Sequence, residues 1–363
     1  MAPGGASRNR RRDMIRQSAR SSRRFRMSSV NTSLRWVVSL SLAVIVTVLG
    51  VADAQPQSPE RLLVLLRDAS ALAIVDPASG TVLGRVPTGR DPHEVTASAD
   101  GRLAFVASMV DGISVIDLAA QEEIRRVDPG PGSLTHDVVF AAGKVYFTIE
   151  GYKSIGRYDP ATDQIDWTLG IGQDGTHMLV LDQDRDLMFL PNIGSNTVTM
   201  VEGAMAGPAR ATLTDIPVPG VRPEGLDLSP DGRELWTATR GDGGVSIIDV
   251  ESRRVVETLD LGMQDANRLK FTPDGRVLII DGEAASLVVM DAASRTVIER
   301  VTVGSTDTGD GAVLVAPDGS RAYLGLRAAD RVAVVDLDTL EVIREMPMGD
   351  GAGPGCLYWI GAM

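Results

Sequence analysis

Three histidines are the side chains of this protein best suited to hold a metal or move a proton near neutral pH, and their surroundings are alike: PHEV carries His93, THDV His136 and THML His177. The same position of the following repeats reads Glu224 in RPEGL, Asn267 in DANRL and Asp310 or Gly311 in TGDGA, and Gly355 completes the series. Three imidazoles with a carboxylate suit Zn, Fe, Cu, Ni or Mn, with Glu224 either the fourth ligand or the general base for a bound water. The plain alternative is that each histidine bonds a neighbouring loop carbonyl. The two readings part on whether folding brings the three rings to one place.

The elements that would do so repeat about every 43 residues from residue 62 onward. One strand of each repeat ends in Asp: ALAIVD (Asp76), ISVIDL (Asp117), SIGRYD (Asp159), VSIIDV (Asp249), LVVMD (Asp291) and VAVVD (Asp336), with Val201 of TVTMV in the same column. Turns such as SADG (98–101), SPDG (229–232), TPDG (272–275) and APDG (316–319) precede a strand like LAFVAS or ELWTAT, because Asp bonds its own backbone and Gly accepts positive φ. A strand such as VLGRVP or VVETLDL closes the repeat. Four short strands in each of seven copies predict an all-β fold, a seven-bladed β-propeller. The first copy begins at Arg61 without a first strand, and GAGPGCLYWI follows the last. The C-terminal strand is therefore expected to complete the N-terminal blade and close the ring.

In that architecture the start of each first strand and the end of each second strand share a face. The inner ring then reads His93, His136, His177, Glu224, Asn267, Asp310 and Gly355, and the outer ring Arg67, Ser108, Glu150, Asn192, Arg240, Asp281 and Arg327. Arg67, Arg240 and Arg327, with Asn192 and Asn267, are the candidate substrate contacts, since guanidinium groups can fix a carboxylate or phosphate through paired hydrogen bonds. The recurring Asp at the end of the third strand is expected to cap turns rather than do chemistry.

The repeat unit SPDGRELWTATRGDGGVSIIDVESRRVVETLDLG, with PTGRDPHEV and VPGVRPEGL, resembles the YVTN family of seven-bladed propellers. The resemblance covers residues 59–363. It departs in the third and fourth repeats, where AAGK and DQDRD replace SPDG and residues 202–219 hold an insertion. It implies a secreted or periplasmic propeller and no particular chemistry, because propellers host binding, hydrolysis, lyase and redox activities alike.

Residues 1–54 differ from the rest. Nine arginines between Arg8 and Arg26 face one acid, Asp13; Met27 is a candidate true start, and Arg35 precedes an apolar run from Trp36 to Val51. That run is short for a membrane span, which needs about 20 residues, and it ends in Ala52-Asp53-Ala54, an A-x-A cleavage pattern. A signal peptide cleaved after Ala54 and a periplasmic or secreted product without stable membrane insertion are expected. The remainder holds 26 basic and 46 acidic residues, a net charge of about −20, which disfavours nucleic acid as a partner. Cys356 is the sole cysteine, so there is no internal disulfide, CxxCH heme attachment or CxxC pair. HExxH, GxSxG and phosphate-loop patterns are absent.

The functional expectation is a periplasmic metal-binding propeller acting on a small, anionic molecule by hydrolysis, elimination or oxygen chemistry. Its rivals are a non-catalytic propeller binding a protein, peptide or metal on the funnel face, and a calcium-dependent lactonase-like hydrolase using Glu224, Asn267 and Asp310.

Overall fold

A computed structural model describes residues 60–304 and 311–361. The expected leader and its cleavage site, and Asp310, lie outside the described residues. Among those described, no helix is long and apolar enough to cross a membrane.

The strands form seven four-stranded antiparallel sheets. Six are built from consecutive strands. The remaining one, blade one, orders Pro354–Ile360, Arg61–Leu66, Ala71–Asp76 and Thr81–Pro87, so the last strand of the chain pairs with the first. The three-plus-one closure expected from the repeat register is present, and it covers the inner edge that blade one would otherwise expose.

Seven apolar clusters hold the ring together, one between each pair of neighbouring blades. The middle strands are covered on both faces and read as unbroken apolar runs: Arg61–Leu66 is buried from its second residue on, as is Leu103–Ser108. Outermost strands are wetter, and in Glu122–Val127 only Val127 is fully buried. The Asp at each third-strand end caps its turn: Asp76, Asp117 and Asp249 accept from the amides of Ala78 (3.0 Å), Ala119 (2.9 Å) and Ser252 (2.7 Å). The insertion of the fourth repeat is a loop with a short 3-10 turn, Pro208–Arg210, ahead of the strand Thr212–Pro217.

A local irregularity decides where the ring residues point. The first strands slip register against their partners between Pro92 and Glu94, Thr135 and Val138, Pro223 and Leu226, and Ala266 and Arg268. His93, His136, Glu224 and Asn267 each fall within such a bulge. An extra residue in one strand bends it and re-aims a side chain, here at the start of the strand nearest the axis. Blade four differs: its first strand is only Val180–Asp182, and His177 precedes it, held by the Thr176–Asn192 bridge and by its amide donating to the Pro191 carbonyl at 3.0 Å.

Candidate metal centre

The three histidines meet. Ring centroids of His93 and His136 lie 4.6 Å apart, and those of His136 and His177 3.5 Å apart. Thr148 ties the backbones behind them: its hydroxyl donates to the His177 carbonyl at 2.7 Å and accepts from the Asp137 amide at 2.9 Å. One nitrogen of His136, one nitrogen of His177 and one carboxylate oxygen of Glu150 all lie within 4.8 Å of one another. Glu150, at the end of blade three's second strand, reaches across to blade four and accepts from His177 Nδ1.

The three rings differ electrically. His136 is buried, and its Nδ1 has no hydrogen-bond partner. Burial, then repulsion from His177 and His93, pushes its pKa well below the usual value, so it is a neutral imidazole with a lone pair to give. Burial, followed by the Arg67 charge, also lowers His93. On His177 burial acts downward, but Glu150 and Glu224 outweigh it and raise the pKa to about 9. Without a cation, His177 is thus an imidazolium between two carboxylates. Two neutral imidazoles, one of them with an unsatisfied buried nitrogen, and a third held protonated only by acids form a donor set that fits a borderline divalent metal.

Glu224 is buried and engaged. Arg268 Nη1 donates to its Oε1 at 2.6 Å, Arg240 Nη1 approaches both oxygens at 3.3 and 3.4 Å, and His177 Nε2 is 3.8 Å away. Burial works upward on the carboxyl, yet His177, Arg268 and Arg240 hold it well below the ordinary carboxylate range. A carboxylate so stabilised is a weak proton acceptor. Its closest cations are guanidinium groups, which also leaves little for a calcium ion to gain there.

The other expected contacts divide. Arg67 Nη2 donates to His93 Nε2 at 2.7 Å and to Asp91 Oδ1 at 3.1 Å, and Arg240 Nε donates to Asp265 Oδ1 at 2.8 Å, so both guanidiniums stand at the mouth of the site. Asn267 Nδ2 donates to Asp265 at 3.3 Å beside them. Arg327 turns instead to Asp68 at 2.6 Å on the rim. Asn192 is wholly buried, with hydrogen bonds to Thr176 at 2.9 Å and Thr199 at 2.8 Å, and it packs the fold rather than facing a ligand.

Two residues emerge to which the repeat pattern assigns no role. Glu150 stands in the outer ring without a function. Arg268 follows Asn267, in a layer that also holds Glu94 and Asp137; opposite charges in an otherwise buried column are the signal that marks it. Arg268 Nη2 reaches Glu94 of blade two at 3.5 Å while Nη1 holds Glu224 of blade five, so its side chain spans the axis. Beyond it lies a cavity of 310 Å³ whose lining includes Glu94, Asp137, Lys270 and Cys356. Burial and repulsion from Glu94 push Asp137 up to about 7, and burial lifts the Cys356 thiol well above its usual value.

Comparison with known proteins agrees with the fold. The cytochrome D1 heme domain family model matches residues 58–164, a stretch that contains His93 and His136. The uncharacterized protein YncE of Salmonella typhi is 26% identical over 171 residues, 46% of this chain and 46% of that protein, so the matched stretch spans about half the length of this relative. Among solved structures, the Pseudomonas aeruginosa periplasmic gluconolactonase PpgL superposes with a TM-score of 0.65 at 19% identity, covering 84% of this chain and 99% of that one. The dihydro-heme d1 dehydrogenase NirN does so with a TM-score of 0.61 at 16% identity, covering 82% and 66%. At such identities the likeness is one of fold. Strand order, closure and comparisons together make this chain a seven-bladed β-propeller, similar in part to the cytochrome D1 heme domain and to YncE.

Proposed function

We propose that this protein is a periplasmic propeller of YVTN type that holds a divalent transition metal (Zn, Fe, Cu, Ni or Mn) at one mouth of its central channel. His136, His177 and Glu150 are the principal ligands and His93 joins them. The observation that carries the reading is the meeting of one His136 nitrogen, one His177 nitrogen and one Glu150 oxygen within 4.8 Å of one another, in a buried site where His136 Nδ1 has no hydrogen-bond partner. Bound there, the metal supplies Lewis acidity and an activated water for hydrolysis, elimination or oxygen chemistry on a small anion. Arg67 and Arg240 orient that anion at the mouth, and Glu224, ionised and clamped by Arg268, holds His177 in place rather than moving protons. Periplasmic residence is supported by the basic leader and by the likeness to PpgL, a periplasmic gluconolactonase.

Tag-free protein should carry about one equivalent of metal by elemental analysis, and the His93→Ala, His136→Ala, His177→Ala triple variant none. Equal, near-zero metal in both would overturn the reading.

A second reading, a tetrapyrrole ligand, is favoured by the heme-domain match over residues 58–164. Titration with hemin separates them: a Soret shift lost in the His93→Ala and His136→Ala variants supports it, and an unchanged hemin spectrum excludes it.

A further inference from the structure

The arrangement around His93 differs from that at the other two rings. His93 Nδ1 lies 3.0 Å from the Asp91 carbonyl and must donate to it, so Nε2 carries the lone pair. That lone pair is occupied, because Arg67 Nη2 donates to it at 2.7 Å. The guanidinium is placed by an exchange between rings. Blade one contributes Gly355 to the inner ring, and a Cβ there would lie 2.8 Å from Arg67 Cδ and 3.1 Å from Cγ. With no side chain at Gly355, the Arg67 stem lies across that slot and delivers its fork to the neighbouring blade. The same Nη2 already bonds Asp91 Oδ1 at 3.1 Å, so the guanidinium has a second anchor when it leaves His93.

We propose that Arg67 is a gate on the metal centre: in the metal-free protein it caps His93 Nε2, and a small carboxylate at the mouth draws it away, releasing the third imidazole to the metal. The inference rests on the metal-binding reading above. A guanidinium at hydrogen-bond distance both blocks the donor nitrogen and repels an incoming dication. Once displaced, its planar fork can grip a carboxylate beside the metal. Metal and carboxylate therefore favour each other, and the coupling is reciprocal: each raises the other's affinity by the same factor.

The test is Co²⁺ titration of the full chain, followed by its visible absorbance, at constant ionic strength with chloride or acetate as the anion. Arg67→Met keeps the stem over Gly355 and removes every donor. It should bind Co²⁺ at least about tenfold more tightly than the unaltered protein in chloride, the effect of losing a charged hydrogen bond to the ligand nitrogen. Acetate should tighten binding in the unaltered protein and much less in Arg67→Met. Most of the gain from Arg67→Met should vanish when His93→Ala is also present, which a general electrostatic or structural effect would not produce. Equal Co²⁺ affinity with and without Arg67, an equal acetate effect in both, or a gain that survives His93→Ala intact overturns the gate while leaving the metal centre standing. Failure of all variants to bind Co²⁺ overturns both.

Discussion

At the scale of single residues, the proposed metal centre would set a proton and a metal in competition for His177. The imidazolium, clasped by Glu150 and Glu224, has a pKa raised to about 9 from the ordinary 6.5. This pairing therefore stabilises the metal-free fold fully below about pH 6.5, and its contribution is lost as pH rises through about 9. A metal bound as proposed would have to expel that proton. Its affinity is expected to rise about tenfold per pH unit between pH 6 and 8, with close to one proton released per ion, and the slope should flatten in Glu150→Gln, where the proton is held less firmly. Calorimetry in two buffers of different ionisation enthalpy measures the proton count directly; a pH-independent affinity would exclude a protonated His177. The three histidines are legible as candidates because they are the whole histidine content of the chain and share one repeat column. Glu150 is not, since its part depends on a reach from blade three to blade four that no spacing within one repeat encodes.

At the scale of elements, the bulge at the start of the first strands does the aiming. A regular strand with a period of two would send alternate residues toward opposite neighbouring blades. The slip between Pro92 and Glu94, and its counterparts in blades three, five and six, turns one residue of each of these blades toward the channel instead. Gly225 shows how closely the blades then approach, because a Cβ there would meet Arg268 Cα at 2.7 Å and the Asn267 carbonyl oxygen at 2.9 Å. Both are backbone, which cannot step aside as a flexible side chain can. Gly225→Ala should therefore push blades five and six apart at a cost of about 1–3 kcal/mol, read as a lower urea midpoint. It should also loosen the Arg268 contact with Glu224. An unchanged midpoint would mean that the interface yields freely. Strand identity is readable from Val, Ile and Leu runs bounded by Asp-Gly turns, but bulges leave no composition signal, so the repeat column alone has to stand for the direction of each ring residue.

At the scale of the whole molecule, the ring depends on its last strand. Pro354–Ile360 pairs with Arg61–Leu66 and contributes Leu357 to the cluster between blades seven and one, while Cys356 and Tyr358 pack toward blade two. Ending the chain at residue 353 exposes the inner edge of blade one and opens two inter-blade cores. The shortened protein is expected to lose its cooperative melt and to aggregate, and a synthetic peptide of residues 354–361 added in excess should restore the melt in part. A shortened chain that melts like the full one would show that the ring does not need closure. The missing first strand of the opening repeat and the surplus strand after the last make this closure readable in the amino-acid sequence, because an unpaired inner strand is a liability that a closed ring removes.

Repetition is what the chain declares by itself. Seven copies, four strands each, one seam and one column of candidate ligands all follow from local signals: turn chemistry, apolar runs and a fixed period. Which of those candidates cooperate is decided between blades, by contacts between residues far apart in sequence. Tertiary structure brings Glu150 to His177, sets Arg268 across the axis to Glu94 and Glu224, lays Arg67 over Gly355 onto His93, and sends Arg327 to the rim and Asn192 into the core. A column gives a residue its height on the ring. Only the packing of one blade on the next gives it a partner, and with the partner its charge.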